Sequence, residues 1–434
     1  MDKMADVVGR AGAWCGQNKY LSAIKNAFQN FMPLTIAGAI GVLWCNVLVN
    51  DQTGLGLFFK PIMALDFLNP AFQAVNFCTI SCITVGITLG IAQEIGVWNM
   101  GAERAGYIPG LVGLAAWLSV TNTSHMVDGA KEAFTGIAGN ELGATGLFTG
   151  MIIGVLSVEL FCFFEKQDAL KIKMPEQVPP GVARAFEVLV PATITLIITA
   201  CIGSACYNLT GLYLNDVIKN GIQGPLGAVG ATVPGVMIIY LVIMLFWLVG
   251  IHGNNMLSAV KEALFTPLAL ENVEKFNKGE KPTNIINMYA LQMWGEFGGS
   301  GVTIGLVIAI MIFGKREDNK AIATLSLVPG LFNINETVTF GIPMVLNPIL
   351  GIPFVVAPLI TIIIGYVLTV IGFCPVACLT VPWTTPPIVF GFLACGANVM
   401  GAVTQAILIV VSTVIYVPFL ISYEKYQNKQ AAEV

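Results

Sequence analysis

Four stretches in the second half of the chain hold the residue types that could bind a polar solute. In NINETVTFGIPMVLNP, residues 333–348, a carboxylate, Glu336, stands among the amides of Asn333 and Asn335, with Asn347 further on. Pro343 and Pro348 interrupt any helix there, because proline donates no backbone hydrogen bond and so leaves carbonyls free. In WLVGIHGNNML, residues 247–257, His252 is one of two histidines in the chain and lies between Gly250 and Gly253, with Asn254 and Asn255 behind it. Flanking glycines let a ligand or backbone approach the ring closely; the alternative is a histidine at the membrane interface where two helices meet. In QMWGEFGGSGVTIGL, residues 292–306, Gly295, Gly298, Gly299 and Gly301 disfavour a continuous helix and predict a turn. Glu296 in that turn either binds solute or pairs with a backbone or basic group. In LTVPWTTPP, residues 379–387, Trp383 either covers the apolar face of a pyranose ring or belongs to an interfacial aromatic belt.

Together these groups suit a neutral, hydroxyl-rich solute. Each sugar hydroxyl both donates and accepts, and carboxylate, amide and imidazole serve both needs. A glutamate at membrane depth costs a few kcal/mol or more, so it points to function unless a structural ion pair seals it. No metal is expected, since no His–carboxylate pair sits at ligand spacing, and no other cofactor is implied. No Ser–His–Asp, HExxH or paired-aspartate arrangement suggests an intramembrane hydrolase.

The elements that must position these residues are membrane helices. The chain has 434 residues, 56% hydrophobic and 11% charged, against roughly a quarter charged in soluble domains. That leaves too little polar surface for a soluble fold. The net charge of −4 and the lack of a basic tract exclude a nucleic-acid partner. Cys78 and Cys82, like Cys374 and Cys378, are four apart in apolar segments and read as small apolar helix residues. The start of the chain lacks the layout of a signal peptide. Residues 1–30 read instead as an amphipathic segment on the membrane face, with Arg10, Lys19 and Lys25 on its wet side.

A spanning helix needs about 20 apolar residues, which predicts spans near 32–50, 74–93, 105–121, 144–164, 186–207, 229–250, 350–373 and 397–421. Basic residues collect at Lys166, Lys171, Lys173 and Arg184, in GKREDNK (314–320), and at Lys425 and Lys429, so these sites are expected in the cytoplasm with both termini. The loop 122–143, with Asp128, Glu132 and Glu141 against Lys131, suits the outside. Parity then calls for a short crossing at 254–270 and hairpins within 288–313 and 321–348. The expected fold is an all-α integral membrane protein of about ten transmembrane helices plus two re-entrant hairpins in the second half. Its expected parts are first-half helices over 31–207, a surface amphipathic segment at 208–228, a solute-binding transport region over 229–421 and a cytoplasmic tail at 422–434.

The motifs GIHG (250–253), GGSG (298–301), NINETVTFGIPMVLNPILGIPF (333–354) and PWTTP (382–386), with FMPLTIAG (31–38), resemble enzyme IIC, the membrane component of bacterial phosphotransferase systems. The likeness is to the lactose/cellobiose/diacetylchitobiose group and runs over essentially the whole chain. It implies a homodimer in the cell membrane, made by the first-half helices, with a disaccharide held by the second half. It also implies that the sugar's C6 hydroxyl is phosphorylated by a phosphocysteine on a soluble IIB protein, expected in trans because residues 421–434 are too few to fold. Carried onto this chain, Glu336 and His252 hold the sugar close to that hydroxyl, and Glu336 orients it or accepts its proton. Asn333, Asn335, Trp383, Gly253, Asn254 and Glu296 complete the expected sugar site. The competing class is an ion-coupled secondary sugar transporter with Glu336 as the proton or sodium site. Delivery of sugar phosphate rather than free sugar separates the two.

Overall fold

The computed structural model describes residues 10, 14, 17–51, 55–125, 133–175, 177–342, 344 and 346–433. Most of the expected N-terminal segment, the outer-loop residues Asp128, Lys131 and Glu132, and Pro343 lie outside the described residues. The chain folds into two compact units, one of Gln17–Gly38 with Val75–Ala228 and another that holds Ala39–Ala74 and Val229–Val434.

The first unit is a bundle of α1 (Lys19–Leu43, its N-terminal part), α2 (Ile83–Met100), α3 (Ile108–Val120), α4 (Ala144–Glu165) and α5 (Pro180–Thr210). In lipid, apolar surface gives helices little reason to associate, so close backbone approach through small residues does the work. A Cβ at Gly113 would lie 2.3 Å from that of Ala92, and one at Gly150 would lie 2.1 Å from the Thr88 hydroxyl. Ile87, Ile91, Trp117, Leu147 and Phe161 fill the bundle core. Along α5 the pattern of a soluble helix is inverted. Leu189, Ile197 and Ile202 face outward. Thr195 and Thr199 are buried, and each returns its hydroxyl to the carbonyl four residues back at 2.8 Å. Such a surface is solvated by lipid chains, not water. Polar groups gather at one helix end, where buried Glu165 accepts from both Arg104 and Arg184 at 3.0 Å.

The second unit carries α6 (Val233–Leu248), α7 (Gly253–Met256), α8 (Ser258–Asn277), α9 (Met288–Gly295), α10 (Ile304–Phe313), α11 (Glu317–Leu331), α12 (Glu336–Gly341), α13 (Gly351–Val370), α14 (Val389–Ala394) and α15 (Val399–Glu433). α10 packs on α15, α15 on α13, and α13 on both α6 and α9. Their shared core holds Tyr240, Trp294, Phe297, Phe354 and Tyr416, all nearly inaccessible. Among the described residues the fold is all-α apart from a short ribbon in which Ser124–His125 pairs with Phe134–Thr135.

The expected ten spans and two second-half hairpins are not what forms. Among the described residues five helices are long and apolar enough to cross a membrane: Lys19–Leu48, Ala144–Glu165, Pro180–Thr210, Gly351–Val370 and Val399–Gln430. A sixth is reached if Lys60–Ser81 and Ile83–Met100, bent at the break between them, count as one span. That bent pair, the single re-entrant candidate among the described residues, lies in the first half. The discrepancy has identifiable causes. Expected spans at 105–121 and 229–250 contain helices of only 13 and 16 residues, about 20 and 24 Å at 1.5 Å per residue, short of a hydrocarbon core of about 30 Å. The crossing read at 254–270 falls on α8, a 20-residue helix with Lys261, Glu262, Glu271 and Glu274 along it. The segments read as hairpins break into α9, α10, α11 and α12. The protein is a multi-pass membrane protein with fewer full-length spans than hydropathy alone counts.

Candidate functional site

The polar stretches meet in the second unit because each is a break between short helices. α9 ends at Gly295, and the chain turns through Gly298, Gly299 and Gly301, at φ of 69°, 86° and 80°. These left-handed values favour glycine, and space reinforces the choice: a Cβ on Gly301 would lie 2.4 Å from the Phe354 ring. Tyr416 from α15 donates to the Gly301 carbonyl at 2.7 Å, and Thr303 to that of Gly298 at 2.5 Å. A second break separates α11 from α12. There Asn333 adopts φ 62°, a region asparagine tolerates better than most residues.

Asn333 ties three of the stretches together. Its Oδ1 accepts from the Gly298 N–H at 2.6 Å, and its Nδ2 donates to the carbonyls of Trp383 and Thr385 at 2.5 and 3.0 Å. Asn335, 3% exposed, donates to the Ser300 carbonyl at 2.9 Å and to Thr339 at 3.2 Å. Asn254 donates to the Ser300 hydroxyl at 2.9 Å. Replacing Asn333 with alanine removes three such bonds and places an ordinary residue in the left-handed region. Asn333→Ala is therefore expected to destabilise the protein by roughly 2 kcal/mol, read as a lower midpoint of thermal unfolding in detergent. An unchanged midpoint would show that the tie is dispensable.

His252 precedes α7, and its Nδ1 accepts from the backbone N–H of Asn255 at 3.2 Å. A ring nitrogen that accepts carries no proton, so the neutral ring holds its proton on Nε2. That nitrogen faces Glu336, the first residue of α12, with Nε2 3.6 Å from Oε1. The gap is too long for a direct hydrogen bond. Trp247 backs the imidazole with ring centroids 4.5 Å apart. Gly253 makes this fit possible: a Cβ there would lie 2.0 Å from the Ile243 carbonyl oxygen of α6.

Glu296 has a different environment. Its carboxylate accepts from the buried Tyr240 hydroxyl at 2.6 Å and forms an ion pair with buried Lys261 of α8. Lys261 also donates to Asn254 Oδ1 at 3.2 Å. The structure contains the pairing with a basic group, and it leaves Glu296 on the wall of the cavity described next.

A cavity of about 410 Å³ opens among these groups. Seven of the eight expected site residues line it: Glu336, His252, Asn333, Asn335, Trp383, Asn254 and Glu296. Gly253 is instead buried behind the wall. Asn347, expected near Glu336, does not line it; its Oδ1 accepts the N–H groups of Ile349 and Leu350 at 2.9 Å and so starts α13. Sequence reasoning passed over Gln292, Ser300, Phe390 and Gln405, all of which line the cavity. Gln405, 1% exposed, accepts from the N–H groups of Ile388 and Gly391 at 2.8 Å and so holds the start of α14. A lone glutamine in the apolar run AVTQAILIVV was the available signal. Gln292 Oε1 is buried against the cavity with no protein partner.

The cavity thus presents a carboxylate, an imidazole N–H and an indole on broken helices, the combination suited to a polyhydroxy solute. The family model described as "Phosphotransferase system, EIIC" matches residues 25–358. The chain is 32% identical over 413 residues to the PTS system oligo-beta-mannoside-specific EIIC component of Bacillus subtilis (strain 168), covering 94% of this chain and 90% of that protein. It is 30% identical over 474 residues to the PTS system cellobiose-specific EIIC component of Lactococcus lactis subsp. lactis (strain IL1403), covering 96% of each. Among solved structures it is similar to the transporter ChbC, the IIC component from the N,N'-diacetylchitobiose-specific phosphotransferase system, with TM-score 0.88, 29% identity and 98% of each chain covered. With fold, cavity and sequence in agreement over nearly its full length, the chain belongs to the phosphotransferase system EIIC family, the sugar permeases that work with a IIB partner.

Proposed function

We propose that the cavity is the disaccharide site of this permease, and that Glu336 and His252 flank the hydroxyl to be phosphorylated. The observation that carries this reading is their 3.6 Å separation on the cavity wall, with the imidazole N–H turned toward the carboxylate. A sugar hydroxyl at that position donates to Glu336 and accepts from Nε2–H. Trp383, 43% exposed at the cavity, offers an apolar face to the ring. The disaccharides named for similar proteins, cellobiose and N,N'-diacetylchitobiose, support a β-linked disaccharide here. In the transfer step the C6 oxygen attacks the phosphorus of a IIB phosphocysteine. An O–P bond forms, the S–P bond breaks with its electron pair leaving on sulfur, and the hydroxyl proton passes to Glu336.

The first-half helices over 31–207 make a homodimer in this reading, 208–228 lies along the membrane surface, and 229–421 carries the sugar. Both termini and the GKREDNK loop face the cytoplasm. A shared side for the loop and the C-terminal helix is supported by the bonds between them: Lys315 N–H donates to Glu424 at 2.9 Å, and Arg316 to Asn428 at 2.7 Å.

Binding of purified protein to a disaccharide panel tests the site. A hydrogen bond to a charged group contributes about 1.5–3 kcal/mol, so Glu336→Gln is expected to raise Kd roughly ten- to a hundredfold. Failure of the wild type to bind any disaccharide, or an unchanged Kd in the variant, overturns the reading. Uptake that yields free sugar with a lost ion dependence in Glu336→Gln would make Glu336 an ion-coupling site instead.

A further inference from the structure

Resting on the sugar-site reading, we infer that the cavity excludes anions, so that it selects neutral sugars and repels its own phosphorylated product. One feature of the cavity leads there. It is charge. Glu296 and Glu336 line the cavity, and among the described residues no lysine or arginine does. The nearby cation, Lys261, is buried and ion-paired with Glu296. The Asn255 N–H lies 3.2 Å from His252 Nδ1, an arrangement that suits the singly protonated, neutral ring. The charge of Glu336 is left uncancelled.

The neutral donors on the wall, among them the Asn255 amide and the His252 Nε2–H, serve a sugar hydroxyl as well as an anion, so the discrimination rests on charge. A phosphate monoester brings about −1.5 to −2 charges and acceptor oxygens to the same wall, where charges are poorly screened. Phosphoryl transfer therefore turns a fitting ligand into a misfit one, and the site empties without a separate release device.

The test measures binding of cellobiose and N,N'-diacetylchitobiose to the purified protein, each against its 6'-phosphate. The phosphorylated sugar is expected to bind roughly 100-fold more weakly or worse. Glu336→Gln should narrow that ratio by at least about tenfold, even as it weakens the neutral sugar. Ile334→Lys provides a second variant. Ile334 lines the cavity and is 41% exposed, so a lysine head can stand there hydrated. It should shift the ratio of phosphate to neutral-sugar affinity about tenfold toward the phosphate. Comparable affinities for sugar and sugar phosphate in the wild type, or a ratio unmoved by both variants, overturns anion exclusion and leaves the sugar site standing. Binding of neither disaccharide overturns the sugar site itself, and the inference with it.

Discussion

Lys261→Met is expected to destabilise the protein by about 3–5 kcal/mol, because removing one partner of a buried ion pair strands the other charge. Lys261 is 5% exposed and pairs with Glu296, whose carboxylate also accepts from the fully buried Tyr240. Methionine preserves the length and apolar stem of lysine but neither its charge nor its hydrogen bonds to Glu296 and Asn254. The double variant Lys261→Met with Glu296→Gln removes both charges and should recover most of the loss, since replacing both members of such a pair is often nearly neutral. Thermal unfolding in detergent, followed by tryptophan fluorescence, reads both. A single variant as stable as wild type, or a double variant no better than the single, would show that the pair is not the support of this wall.

The second large effect is expected from Gly253→Ala. An added methyl would lie 2.0 Å from the Ile243 carbonyl oxygen and 3.0 Å from its Cα. Both belong to the backbone of α6, which cannot swing aside as a side chain can. The start of α7 must move instead, carrying His252 with it. Overpacking of this kind costs roughly 3 kcal/mol. A displaced imidazole also loses its alignment with Glu336, so disaccharide Kd should rise by about a hundredfold or more. Gly181→Ala is the control, because nothing lies within 4 Å of a Cβ at that position. Equal behaviour of the two variants in stability and binding would refute the close-packing explanation.

What could be read from the sequence follows from what a membrane punishes. Carboxylate, imidazole and amides in a greasy chain are conspicuous, and Glu336, His252, Asn254, Asn333, Asn335, Trp383 and Glu296 all reach one cavity. Gln292, Ser300 and Gln405 were passed over because uncharged polar residues are common in such helices, and only their place on the cavity wall distinguishes them. The partner of Glu296 was not visible because Lys261 lies 35 residues away on another helix. The span count failed for a related reason. Hydropathy adds up apolar residues without seeing where the helix stops: at Gly101 and Gly106 ahead of α3, both at positive φ, or at Val249 after α6. Short helices joined at polar breaks look like full spans when averaged along the chain.

The ties made by Asn333, Asn335 and Asn254 have a consequence for exchanging parts between related permeases. Gly298 and Ser300, Asn333 and Asn335, and Trp383 and Thr385 come from three stretches that hydrogen-bond one another, and Asn254 adds a fourth through Ser300. A donor segment substituted alone meets bonding partners shaped for another register. Chimeras that move all four stretches as a block should therefore transfer a donor's sugar preference, whereas single-segment chimeras should lose binding before they acquire a new preference.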